Sequence, residues 1–121
     1  MASAKVKRNI RAKTLYAPKY VWERFDAIKN YYIELFGFEN LTNSDILRCM
    51  AKRIEINTDK VIDLMDSKYI FHLKSTTSSR IFSLGAYKKF LYSFKQLTDV
   101  FDKNFTFEII VNLYWMEVVK K

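Results

Sequence analysis

The chain predicts a mainly α-helical fold with one short two-stranded antiparallel β-ribbon, built by using the same small unit twice. Two observations lead there. An alternating segment followed by two helical patterns, joined by a Thr-containing turn, occurs in each half of the chain. Each alternating segment also lies in a basic window that contains no acid. Met1 to Trp22 holds Lys5, Lys7, Arg8, Arg11, Lys13 and Lys19 without Asp or Glu, and Ser67 to Thr98 repeats this with Lys68, Lys74, Arg80, Lys88, Lys89 and Lys95.

The elements follow in order. Residues 1–10 are polar, basic and aperiodic, and read as a flexible arm. Arg11 to Ala17 alternates and is ended by Pro18. From Val21 the apolar positions Val21, Phe25, Ile28, Tyr32 and Leu35 or Phe36 recur at three and four residues, the spacing of an amphipathic helix that Gly37 stops. Thr42 or Asn43 caps a second helix with Asp45 in its first turn, carried by Ile46, Leu47, Cys49, Met50 and Ile54. Arg48, Lys52 and Arg53 suit the negative end of that helix's dipole. Residues 11–55 thus form the first unit, and 56–78 a connecting helix and polar linker.

The second unit, 79–121, opens with the alternation Ser79 to Leu84, which Gly85 ends. A stripe of Phe90 or Leu91, Phe94, Leu97 and Phe101 follows, and Phe105-Thr106 opens a last helix with Ile109, Ile110, Leu113, Trp115, Met116 and Val119. The aromatic stripes Tyr31, Tyr32, Phe36, Phe38 and Phe90, Tyr92, Phe94, Phe101 read as core.

Composition narrows the function. At 121 residues, half of them apolar or aromatic, the chain can bury a core. A net charge of +8 favours a polyanionic partner. Cys49 is the only cysteine, which excludes an internal disulfide and a Cys-rich zinc site and fits a reducing cytoplasm. No apolar run reaches a membrane span, and the N-terminus lacks the apolar core of a signal peptide. His72 is the sole histidine, and no phosphate loop, carboxylate pair or nucleophile motif occurs, so neither an enzyme nor a metal or other cofactor is expected.

The run Lys13 to Phe25 places hydrophobics three, seven and ten positions after Pro18, and Asn43-Ser44-Asp45-Ile46 opens the second helix. With these motifs, residues from about 10 to 55 resemble the Arc/MetJ-type ribbon-helix-helix family. The resemblance implies a double-stranded DNA-binding protein whose antiparallel ribbon enters the major groove. Strand parity then turns Ala12, Thr14 and Tyr16 toward the bases, with Ser79, Ile81 and Ser83 from the second strand. Phosphate contacts are expected from Lys5, Lys7, Arg8, Arg11, Lys13 and Arg80, and from the second-helix N-termini at Thr42, Asn43, Ser44 and Thr106.

A lone unit of this kind cannot bury its apolar face. The second copy therefore implies a tandem, monomeric pseudo-dimer, similar to TraY-type conjugation accessory proteins. It departs from the pattern in having Gly85 where Pro18 stands and Phe107-Glu108-Ile109-Ile110 for the acid-Ile signature. A relaxosome role beside a relaxase or other mobile-element protein, or transcriptional repression, would follow. The alternatives are an intermolecular ribbon-helix-helix dimer with a helical C-terminal adaptor domain, as in ParR-like plasmid partition, and a basic helical scaffold that binds no DNA.

Overall fold

Ala12–Pro18 of the computed structural model is a strand, β1, and its partner β2, Thr77–Ser83, comes from the other half of the same chain. The structure describes residues 12–53 and 77–119. The two strands are antiparallel and, among the described residues, make up a two-stranded sheet, with Ala12 opposite Ser83, Leu15 opposite Arg80, and Pro18 opposite Thr77. The fold is mainly helical around this ribbon. Its helices are α1 (Lys19–Phe36), α2 (Asn43–Arg53), α3 (Leu84–Ser93), the single turn α4 (Lys95–Thr98) and α5 (Lys103–Tyr114), which continues as a π-helical stretch, Trp115–Val119.

Alternation decides which face of the ribbon is covered. Leu15, Ala17 and Phe82 are buried, whereas Tyr16, Ser79, Ile81 and Ser83 are exposed. Pro18 ends β1 and serves as the N-cap of α1, where its missing N–H removes nothing from the helix. Val21, Trp22, Phe25, Ile28 and Tyr32 make the buried stripe of α1. Gly37 terminates it at φ 71° and donates its N–H to Ile33 O at 3.0 Å, a left-handed position that glycine takes without a Cβ clash.

The helices pack across the two halves. α2 lies mainly against α3, and α5 against α1 and β1, while α1 and α2 touch each other little. Each half thus covers the apolar stripe of the other. Phe107 of α5 stands at the centre, with its ring 5.1 Å from Trp22, 5.7 Å from Phe25, 6.1 Å from Phe82 and 5.9 Å from Phe90. Every residue from Thr106 to Tyr114 is buried, as expected of a helix enclosed on all sides. Polar ties reinforce the α1–α5 contact: the Tyr20 hydroxyl donates to Glu108 Oε2 at 3.0 Å, and Arg24 donates to Asn112 Oδ1. The Arg24 guanidinium also lies 4.2 Å from the centre of the Trp115 ring.

Several boundaries differ from the sequence expectation, each for a local reason. β2 begins at Thr77, so the last two residues expected in the linker are strand. Its end is Ser83, because the Ser83 hydroxyl accepts from Ala86 N at 3.3 Å and caps α3; Leu84 and Gly85 form the first turn of that helix, and Leu84 is only half-buried. The stripe expected from Phe90 to Phe101 breaks at Phe94, whose N–H is shared between Phe90 O and Leu91 O. The last helix starts at Lys103 rather than Phe105, because Asp102 accepts from Asn104 N at 2.8 Å and Phe105 N at 2.9 Å. Phe36, Phe38 and Tyr92, expected in the core, are exposed, and Cys49 is half-buried at its edge. The basic arm, the end of the first unit and most of the linker, His72 included, lie outside the described residues.

Candidate nucleic-acid interface

The outer face of the ribbon is the surface of interest. No described element packs on it. Its central residues are Thr14 and Ile81, directly opposite each other, and Tyr16 and Ser79, also opposite, with Ala12 and Ser83 at one end. Ile81 is 66 % exposed and Tyr16 52 %, while Thr14 and Ala12 are half-buried between their neighbours. All six side chains are uncharged.

Each end of the ribbon is fixed by the N-terminus of a helix from the opposite half. At one end Ser83 N donates to Ser44 Oγ at 2.9 Å, and Arg48 Nη2 donates to Ser83 Oγ at 3.3 Å. At the other end Tyr16 N donates to Asn104 Oδ1 at 2.9 Å. Edge amides that the two-stranded ladder leaves unpaired are thereby satisfied by side chains. These bonds fix the position and tilt of the ribbon relative to α2 and α5.

The charges around the face are unequal. At the Ser83 end an open groove is lined by Ala12, Ile81, Ser83, Gly85 and the cationic Arg48 and Lys88. Arg48 also stands 3.9 Å from Asp45. At the Tyr16 end Lys103 is exposed beside the capping carboxylate of Asp102.

The expected phosphate ligands are dispersed by this geometry. Lys13 is exposed on β1. Thr42 and Asp45 form a reciprocal capping box, with Asp45 N donating to Thr42 Oγ1 and Thr42 N to Asp45 Oδ2, both at 3.1 Å. Asn43 Oδ1 accepts from Lys29 Nζ at 2.9 Å, and Ser44 holds Ser83. At α5 the Asp102 carboxylate takes the first free amides, the place a phosphate would occupy, whereas at α2 the Asp45 carboxylate takes the Thr42 N–H and the Thr42 hydroxyl takes Asp45 N.

Two expected ligands need correction. Thr106 is fully buried inside α5 with no hydrogen-bond partner for its hydroxyl, because the helix starts two residues earlier than its pattern suggests. Arg80 lies on the inner face of the ribbon, where Nη1 reaches Asp26 Oδ1 at 2.6 Å and Nη2 reaches Oδ2 at 2.9 Å. The same guanidinium sits 4.8 Å from the centre of the Trp22 ring. This two-pronged bond holds the Asp26 carboxyl below its ordinary value and raises Arg80 above its own. Lys5, Lys7, Arg8 and Arg11 fall outside the described residues.

Sequence reasoning assigned Arg48 to the dipole of its helix and counted Lys88 only within the second basic window, naming neither as a phosphate ligand. Their position beside Ser83 depends on α2 packing against α3 from the other half, which no local pattern encodes. Among the described residues no group of three or more His, Cys, Asp or Glu side chains could hold a metal ion, and no helix is long and apolar enough to cross a membrane. No protein-family model, curated protein or solved structure matches this chain.

Proposed function

We propose that this chain is a ribbon-helix-helix DNA-binding protein in which both units belong to one polypeptide, a monomeric pseudo-dimer. The observation that carries the reading is the ribbon itself: two antiparallel strands from the two halves, one face on the core and the other open. A two-stranded ribbon has the width that the major groove of B-DNA admits. The net charge of +8 supplies the long-range attraction to a polyanion.

In this mechanism Ala12, Thr14, Tyr16, Ser79, Ile81 and Ser83 meet the base edges. Phosphate contacts come from side chains at the ribbon's ends, Arg48 and Lys88 at one and Lys103 at the other, with Lys13 on the strand. The two capped helix N-termini position the ribbon rather than bind the backbone. Because β1 and β2 present different residues, the preferred site is asymmetric. Service at a transfer origin or as a repressor is consistent with such a binding mode, and the distribution of bound sites distinguishes them.

The test is enrichment of a random duplex pool on the full-length protein, followed by affinity measurement over a range of salt, with light scattering on the free and bound protein. The reading requires an enriched sequence and an affinity that falls steeply with salt. It also requires one chain per ribbon footprint. Equal affinity for scrambled duplexes would overturn sequence-specific recognition, absence of binding to any duplex would leave only a basic helical scaffold, and two chains per footprint would favour the intermolecular dimer.

A further inference from the structure

The outward side chains of the ribbon indicate how a base sequence would be read. Every outward position carries a hydroxyl or an apolar group: Ala12, Thr14 and Tyr16 on β1, and Ser79, Ile81 and Ser83 on β2. Arg, Lys, Asn and Gln, whose paired hydrogen bonds distinguish guanine and adenine, are absent from these positions. Arg80, the arginine of β2, is turned inward and held by both oxygens of Asp26.

What remains is a methyl-rich patch. Ile81 stands directly opposite Thr14, which puts their Cβ atoms roughly 5 Å apart, and Ala12 is the diagonal neighbour of Ile81 at roughly 7 Å. The isoleucine is two-thirds exposed, at 66 %, so its methyl groups are available to a partner. In the major groove only thymine presents a methyl group among the unmodified bases, and apolar side chains recognise it by contact.

We infer that the Ala12, Thr14 and Ile81 patch selects its site by packing on thymine 5-methyl groups, with Ile81 as the principal specificity-determining residue. The inference rests on the DNA-binding reading and goes beyond it by naming the group recognised. The Ser hydroxyls, which can donate or accept, discriminate less. Tyr16 is the other diagonal neighbour of Ile81 and borders the patch on the Ser79 side, where its hydroxyl adds a polar contact.

The experiment takes the duplex enriched by the full-length protein and replaces each thymine singly by deoxyuridine, which keeps every hydrogen-bonding group and removes only the methyl. Affinity should fall about three- to fivefold at one or more neighbouring positions, the effect of one buried methyl group. In Ile81→Ser, a change at an exposed position, thymine and uracil should bind equally at the position that Ile81 covers. Equal binding of all the uracil duplexes by the unaltered protein, with preference over scrambled DNA retained, would overturn methyl readout and leave the DNA-binding reading standing. Loss of preference for any duplex would overturn both.

Discussion

Leu15 and Arg80 face each other across the middle of the ribbon, one a buried aliphatic side chain and the other a guanidinium on the same inner surface. The two strands are thus unlike at their centre. Arg80 occupies that place because Asp26, on α1, meets it with both carboxylate oxygens, and because the Trp22 ring covers it. A cation on this surface without such partners would be costly.

Removal of that carboxylate should be measurable and dependent on pH. Asp26→Asn is expected to destabilise the fold by about 1 kcal/mol at pH 7, the scale of a well-formed but partly exposed ion pair. Since Asp26 titrates lower in the folded than in the unfolded chain, its contribution is complete above the unfolded value, near 3.8. It is lost as pH falls through the folded value below that. Urea melts of both proteins at pH 7 and near pH 3 should therefore show the difference narrowing at the acid end. A gap independent of pH would remove the ion pair as its cause.

Thr106 provides a sharper contrast between sequence and structure. Its hydroxyl is buried without a hydrogen-bond partner, so Thr106→Val, which keeps the shape, should stabilise the fold by about 1 kcal/mol. DNA affinity should be unchanged. A loss of affinity would restore the phosphate role that helix spacing suggests for this residue.

Phe107 joins rings from both halves, and its truncation should be severe. Phe107→Ala is expected to cost about 3–5 kcal/mol, since four aromatic neighbours would be left around a cavity. Thermal or urea unfolding of the unaltered protein should follow one transition, with tryptophan fluorescence and far-ultraviolet circular dichroism coinciding. Two separate transitions would contradict the cross-packing of α1 on α5 and α2 on α3.

Arg48 and Lys88 border the groove at the Ser83 end of the ribbon. Arg48→Ala and Lys88→Ala should each weaken DNA binding nearly equally on all sequences and reduce the salt slope by about one. A change of sequence preference with an unaltered slope would place the side chain among the base contacts.

Much of the ribbon and of α1 was legible because their signals are local. Period-two alternation separates buried Leu15 and Ala17 from exposed Tyr16, and Pro18 and Gly37 mark the ends of α1. The capping box at Thr42 is likewise a four-residue signal. What failed depended on distant partners. Alternation places Arg80 on the inner face, but only the fold brings Asp26 there, and a lone Arg in a basic window reads as a phosphate ligand. The start of α5 was misplaced because the apolar run of an enclosed helix has no polar face to mark its first turn. Asp102, the residue that caps it, stands outside that run. Arg48 was legible as a helix residue, but its neighbourhood depends on a helix from the other half.

The pairing of β1 with β2 also sets the order in which the molecule can be completed. Tyr16 is held by Asn104, 88 positions further along the chain, and Arg24 by Asn112 at the same separation. Most small helical proteins gain speed from contacts close in sequence, whereas loops this long must close before their contacts give any return. During synthesis the first strand leaves the ribosome well before its partner. Until β2 and α5 arrive, β1 is an unpaired edge beside exposed Leu15, Val21 and Phe25, and the emerging chain is most open then to pairing with another copy of itself.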